Sequence, residues 1–152
     1  DALQGRLCQD LAAEVGDFIV LRADGYFAYQ LAVVADDAEQ GITHVVRGAD
    51  LIDSTPRQIC LQRHLGLGQP AYLHLPAAVN AAGEKLSKQT RAKSIDDGRP
   101  QAALTAVLTF LGQQPPADLP DAGLDELWRW AKTNWKRGSL PRCRSAEAPT
   151  AY

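Results

Sequence analysis

The sequence predicts an α/β protein, and three features carry that reading. Short β-rich runs at 41–48 (G-I-T-H-V-V-R-G) and 71–76 (A-Y-L-H-L-P) bracket a segment with clear helix signals, and strand, helix, strand is the order of an α/β unit. Two further helix-length segments follow, at 100–112 and 124–138. A chain of 152 residues, 45% hydrophobic and 22% charged, has the size and composition to bury a core.

Along the chain, D-F-I-V-L-R (17–22) reads as a strand and A-D-G (23–25) as a turn. The apolar segment 26–36 continues as a strand leading into a buried helix or a second strand, and periodicity alone does not choose between them. In the central helix Ser54 or Thr55 is placed to cap, Pro56 suits the first turn and Gly66 ends it. N-A-A-G (80–83) is a turn, and it leads into G-E-K-L-S-K (83–88). Two ammonium groups flanking a serine are either solvated lysines or the closing loop of a phosphate site. Such a loop sits at a strand's carboxyl end, where ligands collect in open α/β sheets.

Residues 94–100 form a linker, 100–112 a helix between proline and glycine, and 113–123 a second linker. In the last helix Leu124, Leu127, Trp128, Ala131 and Trp135 share one face, leaving Trp130, Lys132, Lys136 and Arg137 off it. The tail 145–152 is small and polar and is expected to be disordered. The domains expected are therefore 1–93, a helical segment 94–144, and the tail.

Composition narrows the function. No apolar run reaches the length of a membrane helix, and no signal-peptide pattern opens the chain. A formal charge of −2 leaves any nucleic-acid reading to local patches. Cys8, Cys60 and Cys143 are isolated, so neither a metal site within this chain nor a disulfide framework is expected, and a reducing cytoplasm is the expected compartment. The absence of methionine suggests part of a longer polypeptide. His44, His64 and His74 each lie alone among apolar neighbours and are read as structural, with His74, upstream of the lysine loop, kept as the exception. Asp36–Asp37 and Asp96–Asp97 read as solvated turns, and Arg57 as structural.

The stretch V-V-R-G-A-D-L-x-x-S-T-P-R-Q (45–58), preceded by F-A-Y-Q-L-A-V-V-x-D-D and followed by Y-L-H-L-P and K-L-S-K, resembles the glutamyl branch of the class I aminoacyl-tRNA synthetases. K-L-S-K matches that class's Lys-Met-Ser-Lys-Ser signature, with Leu86 for methionine and Gln89 for the last serine. R-G-A-D-L in place of R-G-E-D is similar to the short paralogous branch, the glutamyl-queuosine tRNA(Asp) synthetases. The resemblance runs from about residue 17 to 93 and weakens through the carboxyl-terminal helices.

The resemblance implies the second half of a Rossmann-like catalytic domain followed by a small helical, stem-contact-like segment. It implies formation of a glutamyl-adenylate from L-glutamate and ATP with magnesium, and transfer of glutamate to queuosine in the anticodon of tRNA(Asp). Lys88 and Lys85 are the implied catalytic lysines, with Lys88 and Ser87 contacting ATP. A mobile cationic loop suits this chemistry, because negative charge develops as pyrophosphate leaves. Tyr29 and Arg47 are the implied glutamate-binding residues; a guanidinium fork can pair bidentately with a carboxylate. The alternatives are a core aromatic for Tyr29 and a salt bridge to Asp50 for Arg47, with Asp50 either ordering the loop around Arg47 or serving as a turn residue. The family's His-Ile-Gly-His-type motif and zinc-binding cysteines are absent, since Cys8 alone cannot replace that cluster. Zinc is thus expected only in a missing amino-terminal half, and the isolated segment is expected to be nearly inactive and monomeric. Too few residues follow the lysine loop for a large anticodon-binding domain. The other readings are a fragment of an ordinary glutamyl-tRNA synthetase charging the tRNA 3′ end, and a non-catalytic RNA-binding remnant.

Overall fold

The computed structural model describes residues 1–87 and 98–149. Lys88, Gln89, most of the 94–100 linker, Asp96–Asp97 and the last three residues lie outside the described residues. Packing divides the chain into Asp1–His74 and Leu75–Tyr152, whereas the change in composition lies near residue 93. The difference arises because the turn and lysine segment after Leu75 bonds locally to the strand that precedes it.

In the first unit α1 (Leu11–Glu14) is one turn long and is fixed by side chains: Asp10 Oδ1 accepts the N–H of Ala12 and Ala13, while Glu14 accepts the N–H of Asp10. The strand expected at 17–22 shrinks to a single bridge, Leu21 to Phe27, closed by the 23–25 turn and an Arg22–Asp24 ion pair. A two-stranded hairpin without a covering layer is marginal, and here Ile19, Leu21, Tyr26 and Phe27 are exposed. The open choice over 26–36 resolves as helix: α2 spans Tyr29–Glu39 and buries Val34. Asp36 and Asp37 are therefore in the last turns of a helix and not in a solvated turn; their carbonyls accept the N–H groups of Gln40 and Ile42 that end it.

Strand β1 (His44–Gly48) leads through a 3-10 turn (Ala49–Ser54) into α3 (Thr55–His64). Ser54 already has helical dihedrals, so the chain runs from 3-10 into α without the side-chain cap expected from Ser54 or Thr55; Pro56 does occupy the first turn. Strand β2 (Ala71–Leu75) is the hydrogen-bonded neighbour of β1. Alternation along β2 buries Tyr72 and His74 on one face. That face is where the chemistry of this unit collects.

In the second unit β3 (Ala77–Val79) pairs in parallel with β4 (Ser145–Glu147), in the register Ala77 to Ser145 through Val79 to Glu147. The tail expected to be disordered thus contains a strand. Its small, polar composition hides the fact that β3 supplies the backbone partners, including Arg144 O to Ala77 N–H. Asn80 closes the next turn by accepting the N–H of Ala82 and Glu84, and a bridge from Val79 to Lys85 carries the chain into Leu86 and Ser87.

The helices α4 (Pro100–Phe110) and α5 (Leu124–Asn134) enclose a core of Leu108, Leu119, Leu127 and Ala131. Buried Gln113 ties the end of α4 to the end of α5, accepting the Lys136 N–H and donating to its carbonyl. Gly112 (φ +70°) is needed twice over, by its left-handed backbone and because a Cβ there would strike the Ser139 carbonyl. The apolar face predicted for α5 is only partly right. Leu127 (0% exposed) and Ala131 are core, but Trp128 (47%) and Trp135 (44%) are exposed. Trp130, read as outward-facing, packs on the core instead. Trp135 caps the helix with extended dihedrals, so the helical period no longer governs where its ring points.

Leu127→Ala is expected to destabilise the protein by about 2–5 kcal/mol. Trp128→Ala should cost far less, because its side chain already meets solvent. Chemical denaturation of the two variants checks the assignment; equal losses would place Trp128 in the core.

Candidate functional site

Arg47, the fourth residue of β1, sends its guanidinium over the Tyr72 ring, with Cζ 5.5 Å from the ring centroid. Its Nε donates to His74 Nε2 at 3.1 Å, and Nη2 donates to Thr55 Oγ1 at 2.9 Å and to Gln58 Oε1 at 2.7 Å. These acceptors come from β2 and the first turns of α3. The network continues outward, for Gln58 Nε2 donates to Gln30 Oε1 and Gln30 Nε2 donates to Ser54 Oγ. Two helices, two strands and a 3-10 turn are thus joined in one network around a single guanidinium.

His74 is 1% exposed. Its Nδ1 lies 2.7 Å from Asp1 Oδ2, and its Nε2 also lies 3.2 Å from Thr55 Oγ1. Burial, then the Arg47 charge, push its pKa down to about 4, with Asp50 pulling the other way. The Asp1–His74 contact is therefore a neutral imidazole donating Nδ1–H to a carboxylate. Tyr72, parallel to His74 within 12°, receives a hydrogen bond from Gln62 at its hydroxyl, and burial raises its pKa.

Asp50 lies in the first turn of the 3-10 segment, folded back so that its carboxylate would collide with a Cβ at position 48. Gly48 thus permits the close approach that shapes the chain just after Arg47. Tyr29 opens α2 and is 51% exposed, so it is not a core aromatic. Its neighbour Gln30 belongs to the Arg47 network. Arg57 donates Nη2 to the Asp53 carbonyl, as a structural residue does. His44 and His64 are exposed and bond locally, to Thr43 Oγ1 and to the Cys60 carbonyl.

Lys85 is exposed and Ser87 half-buried on the segment after the Asn80 turn, in the second unit; Lys88 lies outside the described residues. Among the described residues no group of three or more His, Cys, Asp or Glu side chains is placed to hold a metal, and no helix is long and apolar enough to cross a membrane. An open cleft of about 830 Å³ beside α1 and α3, lined by Leu7, Cys8, Leu11, Pro56, Ile59 and Cys60 among others, does not include Arg47 or Tyr29.

Sequence reading singled out Arg47 and Tyr29 but missed Thr55, Gln58, Gln30 and Tyr72. The one usable signal was placement: Thr55 and Gln58 are three apart on a helix following the arginine strand, and Tyr72 and His74 are two apart on the next strand. The expectation of a bidentate fork also changes. Nε and both hydrogens of Nη2 donate to protein acceptors, so Nη1 is the nitrogen these bonds do not use.

The family model for class I tRNA synthetases (E and Q), catalytic domain, matches residues 1–138, and the chain belongs to that family. It is similar to the glutamyl-Q tRNA(Asp) synthetase of Aromatoleum aromaticum, at 59% identity over 100% of this chain and 48% of that protein. It is also similar to the one from Chromobacterium violaceum, at 56% identity over 93% of this chain and 47% of that protein. The chain spans about half the length of the curated relatives it matches. Among solved structures, the glutamate-tRNA synthetase from Elizabethkingia anophelis superposes with a TM-score of 0.59 at 23% identity, over 86% of this chain and 30% of that one. That likeness establishes the α/β fold of a class I catalytic domain.

The low pKa of His74 sets a stability window. Between 6.5 and about 4 the unfolded chain binds a proton that the folded chain refuses, so this contribution is complete above about 6.5 and is lost as pH falls toward 4. Replacing His74 by Gln should flatten the dependence of unfolding free energy on pH in that window, by up to about 1.4 kcal/mol per pH unit, the linkage of one proton. Urea unfolding of both proteins across the window measures it; parallel curves would mean His74 is charged in the fold.

Proposed function

We propose that this chain is the carboxyl-terminal part of an ATP-dependent ligase that activates L-glutamate and transfers it to queuosine in the anticodon of tRNA(Asp). The observation that carries the proposal is the 59% identity to a glutamyl-Q tRNA(Asp) synthetase over the whole chain, a span that contains R-G-A-D-L and K-L-S-K. Residues 1–93 supply glutamate binding and the phosphate loop. The glutamate carboxylate attacks the α-phosphate of ATP held with magnesium, and pyrophosphate leaves. Lys88 and Lys85 neutralise the charge that develops on the phosphates, with Ser87 as a hydrogen-bonding partner. Arg47, through Nη1, and the Tyr29 hydroxyl bind glutamate. The zinc implied by the resemblance belongs to the amino-terminal segment and enters no step here. The protein acts in the cytoplasm, as a monomer.

The test uses the full-length protein with tRNA(Asp) carrying or lacking queuosine. Labelled glutamate is expected to transfer only when queuosine is present. Charging of the 3′ end of tRNA(Glu) would overturn the acceptor.

The helical segment 94–144 is proposed to contact the tRNA, in the manner of a stem-contact region. Lys132, Lys136 and Arg137 are exposed, and Trp128 and Trp135, not Trp130, offer rings to solvent. Exposed aromatic and cationic side chains suit an RNA loop. Lys136 is held by its backbone to Gln113, so its side chain can be removed without loosening the fold. Neutralising Lys136 and Arg137 together should weaken tRNA binding and reduce the slope of log K against log salt by up to about 2. Glutamate activation measured without tRNA should not change. An unaltered slope would remove this face from the RNA path.

A further inference from the structure

We infer that His74 is a positioning residue for glutamate: its Nε2 lone pair holds the Nε edge of Arg47 and thereby fixes which guanidinium nitrogen faces the substrate. The inference rests on the reading of Arg47 as the glutamate-binding arginine. A guanidinium has five donors and no acceptor, so a ring nitrogen 3.1 Å from Arg47 Nε must present a lone pair. That assigns the imidazole proton to Nδ1, where Asp1 Oδ2 accepts it at 2.7 Å. A doubly protonated ring would turn an N–H toward Arg47 and break the contact. The depressed pKa of His74 agrees with this tautomer.

Thr55 and Gln58 take the two hydrogens of Nη2. With Nε also held, the guanidinium is fixed along one whole edge, and Tyr72 lies under its face. The only terminal nitrogen left for a carboxylate is Nη1. Without the Nε anchor the group can swing about its last side-chain torsions, and Nη1 loses its fixed position. The effect falls on glutamate binding, since His74 itself is sealed from the ligand. Asp1 orients the ring in turn, and its other oxygen accepts the N–H of Leu3 and Gln4.

A merely structural histidine would matter through its bond to Asp1, so the test separates the two ring nitrogens. In the full-length enzyme, His74→Gln can place an amide oxygen near the Nε2 position, keeping an acceptor for Arg47 while losing the donor to Asp1. His74→Asn keeps a donor near Nδ1 and loses the acceptor. Steady-state ATP–pyrophosphate exchange is measured with each substrate varied, and melting temperature shows that each variant is folded. The glutamate KM is expected to stay within about threefold for His74→Gln. It should rise about tenfold to a hundredfold for His74→Asn, as for one hydrogen bond lost from a charged group. The ATP KM should be unchanged in both.

In an Arg47→Ala background His74→Asn should add less than about twofold, since the two residues act as one unit. The reverse order of the two variants, equal effects on glutamate and ATP, or additive effects in the double variant would overturn the positioning role. Arg47→Ala with a normal glutamate KM would instead sink the glutamate reading on which the role rests.

Discussion

A guanidinium can donate hydrogen bonds but never accept one, and the structure of the first unit is organised around that constraint. Taking Arg47 partly out of water obliges its surroundings to offer lone pairs in the plane of the group, because an unmet buried donor costs about 1–3 kcal/mol. The acceptors are three residues on two elements: Thr55 and Gln58 on α3 and His74 on β2. Each must be in register for the others to work. β1 and β2 pair so that Arg47 and His74 meet, and α3 begins where its first turns can present Thr55 and Gln58. The same bonds link secondary structure and set the electrostatics around Arg47, so the stability of the unit and the orientation of its guanidinium are not separable.

Much of this was legible in the sequence, and the failures have identifiable causes. The helix at 55–64 and the strands on either side were marked by proline, by apolar runs and by β-branched residues, which are local signals. Arg47 and Tyr29 were singled out because R-G-A-D-L and F-A-Y-Q-L resemble family motifs. Gln30, Thr55 and Gln58 were not found, because amides and hydroxyls that satisfy a buried partner look like ordinary surface residues until the partner is known. The segment 17–22 reads as a strand by composition, yet with one bridge it is barely one, since pairing depends on a neighbour that composition does not reveal.

The second unit shows the same division between local and non-local information. Period-3.6 patterning identified α5 and placed Leu127 and Ala131 correctly. It misassigned the tryptophans: Trp135 falls where the helix has already ended, and Trp130 reaches the core from the edge of the stripe. Large amphipathic rings can sit at the boundary of a buried face, and only packing decides which of them are covered. Gln113 illustrates the reverse case, a polar residue buried because it closes the backbone of a distant turn.

The parallel pairing of β3 with β4 has a consequence for how the protein is made. Synthesis runs from the amino terminus, so Ala77–Val79 leaves the ribosome long before Ser145–Glu147 exists to pair with it. Until then β3 presents an open backbone edge on the side that β4 fills, while its other side is already paired locally with the turn carrying Lys85. Non-local pairings form slowly because a long loop must close first. The β3–β4 register is therefore set late, after the helices between the two strands have been built.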